Sequence, residues 1–256
     1  MHYIQIGQND HKGEVVQMTL EQDRIYVTVD VLPLSVYEGT LYILLSRRKD
    51  PPYQGRWALP GRFVKADESA EVAAGRLMHE MLPSGDGYLE QLYTFSELNR
   101  DPRGRVISMA YLQIIPWKEL QDSVFQGGAS MACFEVDLDD KGLRLTSGDD
   151  TELAGGDLAF DHGKIIETGI RRLRGKIDYT EIGFRFLANM GAFSLSELQN
   201  VFEAVLGEKI DKSNFRRTII NRYEKTGQMR QTDLPVRRGQ GRPAALYSMT
   251  KEGTGK

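Results

Sequence analysis

Residues 59–82 read L-P-G-R-F-V-K-A-D-E-S-A-E-V-A-A-G-R-L-M-H-E-M-L, a glycine-containing loop that runs into an amphipathic helix. Ala74, Leu77, Met78 and Met81 recur at three- and four-residue spacing and share one face, with Asp67 or Ser69 placed to cap the first turn. Alone, that is an ordinary core helix. His79, beside Glu80, reads as a surface or packing residue.

The flanking text says more. R-W-A-L-P-G leads into the stretch, and Y-L-E-Q-L-Y-T-F followed by R-D-P-R-G-R-V-I-S-M-A-Y-L comes after it. With these flanks the stretch resembles a Nudix box, which runs glycine, five residues, Glu, seven residues, then Arg-Glu-x-x-Glu-Glu. In that box, carboxylates at i, i+3 and i+4 share a helix face and hold hard divalent cations beside a diphosphate. Here the spacing is kept and the ligands are not. Arg62 stands at the glycine position, Glu68 and Arg76 match, and Leu77, Glu80 and Met81 stand for the three glutamates.

Length and composition suit two globular domains. The chain has 256 residues, 40% hydrophobic and 27% charged. Its one cysteine, Cys133, excludes an intrachain disulfide, no Cys/His cluster has zinc spacing, and no apolar run is long enough to span a membrane. A reducing cytoplasm is expected. Net charge is only -3, yet it is unevenly spread: roughly 15 basic against 25 acidic residues up to position 160, then roughly 18 against 11. The C-terminal part is the one suited to a polyanion.

Alternating residues from Arg24 predict two strands joined through Glu38 and Gly39, and residues 88–95 and 105–115 supply two more. Residues 116–128 fit neither period, 130–138 predict a strand, and 139–156 an acidic hairpin or loop. From Leu158 the composition shifts. Asp161 is placed to cap a connecting helix with Ile165, Ile166, Gly169, Ile170 and Leu173 on one face and arginines in its last turn. Ser194 and Glu197 form a capping box ahead of Leu195, Leu198, Phe202 and Val205, with Gly207 at the end. A second helix starts at Asp211, buries Phe215 and Ile219, and presents Lys212, Ser213, Arg216 and Arg217 on its other side. The following segment to residue 249 is a hairpin whose tip carries Arg237, Arg238 and Arg242 among glycines. A helix-turn-helix followed by a basic wing fits duplex DNA, the helix in a groove and the wing arginines on phosphates.

D-K-S-N-F-R-R, G-Q-G-R-P-A-A-L-Y and the phrases around the box are similar to the Nudix-related regulators of NAD metabolism, the NrtR family. The resemblance covers most of the chain. It implies an α+β fold: a Nudix-like α/β/α sandwich over residues 1–155, a connecting helix over 156–177 and a winged helix-turn-helix over 178–256. It further implies a DNA-binding repressor, a homodimer on a palindromic operator, whose Nudix-like domain senses ADP-ribose without hydrolysing it.

The R-D-P-R-G-R loop gathers Arg100, Arg103 and Arg105, which can hold a diphosphate, although Asp-Pro-x-Gly is also ordinary turn chemistry. Arg47, Arg48, Trp57, Arg62 and Phe63 join them as candidate ligand contacts, and Trp57 or Phe63 is either a base-stacking ring or core. No catalytic residue, metal or cofactor is expected, since Leu77 and Met81 cannot ligate a hard cation. Two alternatives stand beside this reading: the same architecture sensing a sugar such as a pentose, and a Mg²⁺-dependent pyrophosphatase.

Overall fold

The computed structural model describes residues 24–82, 87–233 and 245–250. The expected N-terminal lead-in and the wing tip with Arg237, Arg238 and Arg242 lie outside them. Among the described residues no helix is long and apolar enough to cross a membrane.

The alternating run after Arg24 forms β1 (Tyr26–Tyr37) and β2 (Thr40–Arg47), joined at Glu38 and Gly39. Two short strands follow, β3 (Trp57–Ala58) and β4 (Gly61–Phe63), then helix α1 (Ala70–Met81). Of the two proposed caps Ser69 is the one used, its Oγ accepting from the Val72 N–H. Next come β5 (Tyr88–Phe95), β6 (Val106–Ile114) and α2 (Trp117–Gly127), which resolves the stretch that fitted neither period. β7 (Met131–Asp139), β8 (Gly142–Ser147) and β9 (Glu152–Ala154) then form the expected acidic hairpin and one further strand.

These strands make one mixed sheet in the order β5-β6-β1-β2-β7-β8-β9, with β3 on β2 and β4 on β1. β1 runs parallel to β6 from Tyr26 to Leu34, while its other edge is shared by β4 and β2. Because successive side chains point to opposite faces, Val29 and Val31 pack with Leu77 and Met78 of α1 and Leu120 of α2. Leu32 and Leu34 face the other way, toward α3 (His162–Ile177). The stripe expected on α3 is buried there. Gly169 is required by closeness, because a Cβ would lie 2.4 Å from Leu32 Cδ2.

The same core continues into the C-terminal region without a break, taking in Phe184, Phe193, Leu198, Phe202, Phe215 and Tyr247. A 3₁₀ segment (Glu181–Phe186) leads to β10 (Phe193–Ser194) and α4 (Leu195–Leu206), which carries the predicted Ser194/Glu197 capping box and ends at Gly207. α5 (Lys212–Ile219) runs directly into a π-helical turn (Ile220–Glu224). β11 (Met229–Gln231) and β12 (Leu246–Met249) complete a second sheet, ordered β10-β12-β11.

Candidate ligand cleft and nucleic-acid interface

The two carboxylates left in the box are both held by arginines. Arg76 Nε and Nη2 donate to Glu68 at 3.0 and 2.6 Å, and the Lys65 N–H adds a third bond at 3.0 Å. These bonds, the one from Arg76 first, pull the Glu68 pKa down to about 2. Arg62 clasps Glu80 with both terminal nitrogens, one at 2.9 Å, and holds that carboxyl below its ordinary range. Leu77 is buried and Met81 half-buried against the α1 core. A divalent cation does not fit this donor set: two carboxylates are already neutralised, and the other two positions offer a hydrocarbon and a thioether. Among the described residues no group of three or more His, Cys, Asp or Glu side chains is arranged for a metal.

On the side of the sheet that faces α3, a cleft of about 140 Å³ opens between β1, β4, the 100–105 loop and the start of α3. Its floor is a buried charge network. Arg100 donates through Nε and Nη2 to Asp161 at 3.0 and 2.7 Å, and Nη2 also reaches Asp30 Oδ2 at 3.4 Å. Ser108 Oγ donates to the same Asp30 oxygen. His162 lies 3.7 Å through Nε2 from Asp30 Oδ1. Its Nδ1 accepts the Leu59 N–H at 2.8 Å, so a neutral ring carries its proton on Nε2. Burial is the main cause that lowers the His162 pKa, against the nearby carboxylates, and the ring is neutral at pH 7. Gly61 lets Asp30 sit where it does, since a Cβ there would be 2.2 Å from Asp30 Oδ1.

The walls are cationic and aromatic. Phe160 has a left-handed backbone (φ 54°) that turns its ring into the cleft, with the Arg48 guanidinium 4.7 Å and the Arg103 guanidinium 5.6 Å from its centroid. Arg103 is also 5.5 Å from the half-exposed Phe63 ring and is fixed by Asp101 at 3.0 and 2.7 Å. Arg48 bonds only backbone carbonyls among its described contacts, Pro52 at 2.7 Å and Asp50 at 3.2 Å. It is a desolvated guanidinium beside a second one, and both effects lower its pKa.

Of the eight candidates read from the sequence, Arg48, Arg62, Phe63, Arg100 and Arg103 border the cleft. Three stand outside it. Arg47 donates to Gly55 O and lies over Trp57, Trp57 packs edge-on against buried Phe134, and Arg105 ties Ser96 and Glu97 carbonyls to shape the loop. The sequence reading passed over Asp30, Asp101, Phe160 and the partnership of Asp161 with Arg100. A carboxylate inside the apolar run V-T-V-D-V-L was the one available signal for Asp30. Asp161 stands at the expected N-cap of α3, where its backbone carbonyl accepts from the Ile165 N–H at 3.1 Å, but its side chain makes no bond to the helix, because Arg100 takes both carboxylate oxygens.

In the C-terminal region α5 is capped by Asp211, which accepts from the Asn214 N–H at 2.8 Å. Phe215 meets Phe202 of α4 edge-on, 5.1 Å between centroids, and fixes the helix pair. Lys212, Ser213, Arg216 and Arg217 are all exposed on α5, together with Asn214, whose Oδ1 accepts from Arg217 at 2.8 Å. One residue joins this region to the large sheet by hydrogen bonds on both sides. Arg174 of α3 donates through Nε to Val205 O at the end of α4 and through Nη1 to Leu138 O of β7, at 2.9 and 2.8 Å.

Residues 183–249 match the model of the NrtR DNA-binding winged helix domain. The ADPR responsive transcriptional repressor NtrR of Acinetobacter baylyi is 33% identical over 223 residues, 86% of this chain and 80% of the relative. An ADP-ribose pyrophosphatase of Methanocaldococcus jannaschii is 30% identical over 176 residues, 66% of this chain and 89% of the relative. The crystal structure of Shewanella oneidensis NrtR complexed with a 27mer DNA superposes with a TM-score of 0.69 at 29% identity, covering 88% of this chain and 93% of that one. A Nudix-like sheet and helices followed by a winged helix, with a family model and a relative matched over 80% of its length that agree, place the chain in the NrtR family of Nudix-related transcriptional regulators.

Proposed function

We propose that this chain is a DNA-binding transcriptional repressor whose Nudix-like region, residues 1–155, binds ADP-ribose and passes its occupancy through the connecting helix to the winged helix, residues 178–256. The observation that carries the reading is that Leu77 and Met81 stand at two of the three helix carboxylate positions and the third, Glu80, is paired with Arg62. A hydrolase needs those carboxylates free to hold the metal ions that polarise the diphosphate. The cleft meanwhile keeps guanidiniums and rings suited to a diphosphate and a base. Binding without cleavage is what a sensor requires, and it separates this chain from its pyrophosphatase relative.

Lys212, Ser213, Arg216 and Arg217 read a groove, and Arg237, Arg238 and Arg242 bind phosphates. The protein acts in the cytoplasm as a homodimer on a palindromic site with half-sites about one helical turn, roughly 10 bp, apart. Two measurements test this. ADP-ribose at saturation changes operator affinity by roughly 5-fold to 150-fold in a gel-shift titration, and incubation with Mg²⁺ and ADP-ribose releases no AMP above background. Turnover of about 1 per second or faster would return the chain to the enzymes.

A further inference from the structure

Resting on that reading, we infer that Asp161 is a competitor built into the cleft. An anionic ligand takes Arg100 from it, and the released carboxylate then caps α3. This exchange is the step that carries ligand binding toward the DNA-binding region.

Three observations meet here. Arg100 borders the cleft with its side chain only 3% exposed, and its two tightest bonds both go to Asp161, so an anion reaching Arg100 meets a site already filled by a carboxylate. A phosphate oxygen pair offers guanidinium the same bidentate geometry that Asp161 offers. Second, Asp161 stands directly before the first residue of α3, where an aspartate normally accepts from the helix N–H groups. Its backbone (φ -98°, ψ 22°) is not the extended one of a capping residue, and its side chain makes no cap bond. Freed from Arg100, it has those unpaired N–H groups and the positive end of the helix dipole as its nearest alternative. Third, α3 runs unbroken for 16 residues from there to Ile177, and on the way Arg174 grips the last turn of α4 and the end of β7. A change in the first turn of α3 therefore reaches the helix-turn-helix through a rigid element.

The second carboxylate pair of the cleft lacks this connection. Asp101 holds Arg103 within one loop, two residues apart, so its release moves nothing on α3.

The experiment uses the full chain, ADP-ribose as probe and a DNA fragment selected by the parent protein from a random library. Asp161→Asn and Arg100→Gln break the same pair from its two sides. Both are expected to shift ligand-free operator affinity in one common direction by about threefold or more, while ADP-ribose affinity rises with Asp161→Asn and falls with Arg100→Gln. Asp101→Asn is expected to leave operator affinity within about twofold of the parent. An Asp161→Asn protein with the parent's melting temperature and the parent's operator affinity overturns the proposal. So does an Asp101→Asn protein that shifts as far as Asp161→Asn. If Arg100→Gln does not fold, Asp161→Asn decides alone. A parent protein that ignores ADP-ribose while Asp161→Asn still shifts the operator refutes the effector and leaves the exchange standing.

Discussion

Two of the ion-pair clusters among the described residues lie on opposite sides of one sheet and differ in what surrounds them. At the box, Arg62 and Glu80 keep 22% and 53% of their side chains exposed; at the cleft floor Arg100 and Asp30 keep 3% and 7%. Water answers the first pair when it opens, and nothing answers the second. The exposed Arg62–Glu80 pair is therefore of little consequence for stability. The buried network holds a charge that must have a partner at all times, so a ligand can only exchange for a partner and never simply add to it.

The sharpest break of that contrast is Arg100→Met. Removing the cation leaves Asp30 and Asp161 facing each other in a dry site, and urea denaturation should report a loss of about 3 to 5 kcal/mol. A loss below about 1 kcal/mol would mean that the floor is as wet as the box. Next is Leu77→Glu, which restores a box carboxylate in a position now buried in the α1 core. It should cost about 3 kcal/mol through lost burial and a desolvated carboxyl, and Mn²⁺ should add no thermal stability. A Mn²⁺-dependent rise in melting temperature would show that one residue separates this box from a metal site.

Arg62→Gly returns the box glycine and leaves Glu80 to Arg76, 3.7 Å away. The exposed pair contributes under about 1 kcal/mol, so the melting temperature should barely move, and a large drop would make Arg62 structural. The smallest effect is on pH. The Glu68 carboxyl is held at about 2 by Arg76 and the Lys65 N–H, well below an unfolded carboxylate. Its contribution is complete above an unfolded pKa of about 4.3 and disappears as pH falls toward 2. Glu68→Gln and the parent should thus differ in melting at pH 7 and converge near pH 2; a difference that grows with acid would reverse the sign of the shift.

Local rules explain which parts were legible in sequence. The Ser194/Glu197 capping box, the α3 stripe and the β1 alternation depend on neighbours within a few residues, and all appear where periodicity puts them. The residues of the box were equally local, since Leu77 and Met81 state their own chemistry. What escaped was long-range. Arg100 and Asp161 are 61 residues apart and Arg100 and Asp30 are 70 apart, so nothing in either segment announces the other. Asp161 was read as a cap because a cap is the local use of an aspartate before a helix; a buried guanidinium outbid the helix. Arg47 and Arg105 show the converse, with carbonyls eight and nine residues away satisfying groups that composition alone offers to a ligand.

The π turn that ends α5 has a consequence for how such a protein can drift. A π turn is an α turn holding one extra residue, so the five residues Ile220–Glu224 behave as a stored insertion. Deleting Asn221 would let the ordinary repeat resume and would leave everything downstream near its present angle about the helix axis, because the turn already absorbs the extra residue. Tyr223, whose hydroxyl donates to Thr180 O at 3.0 Å, and β11 after it would keep their direction. A single-codon deletion is thus absorbed at this turn, whereas the same deletion within α5 would turn the strands that follow by about 100°.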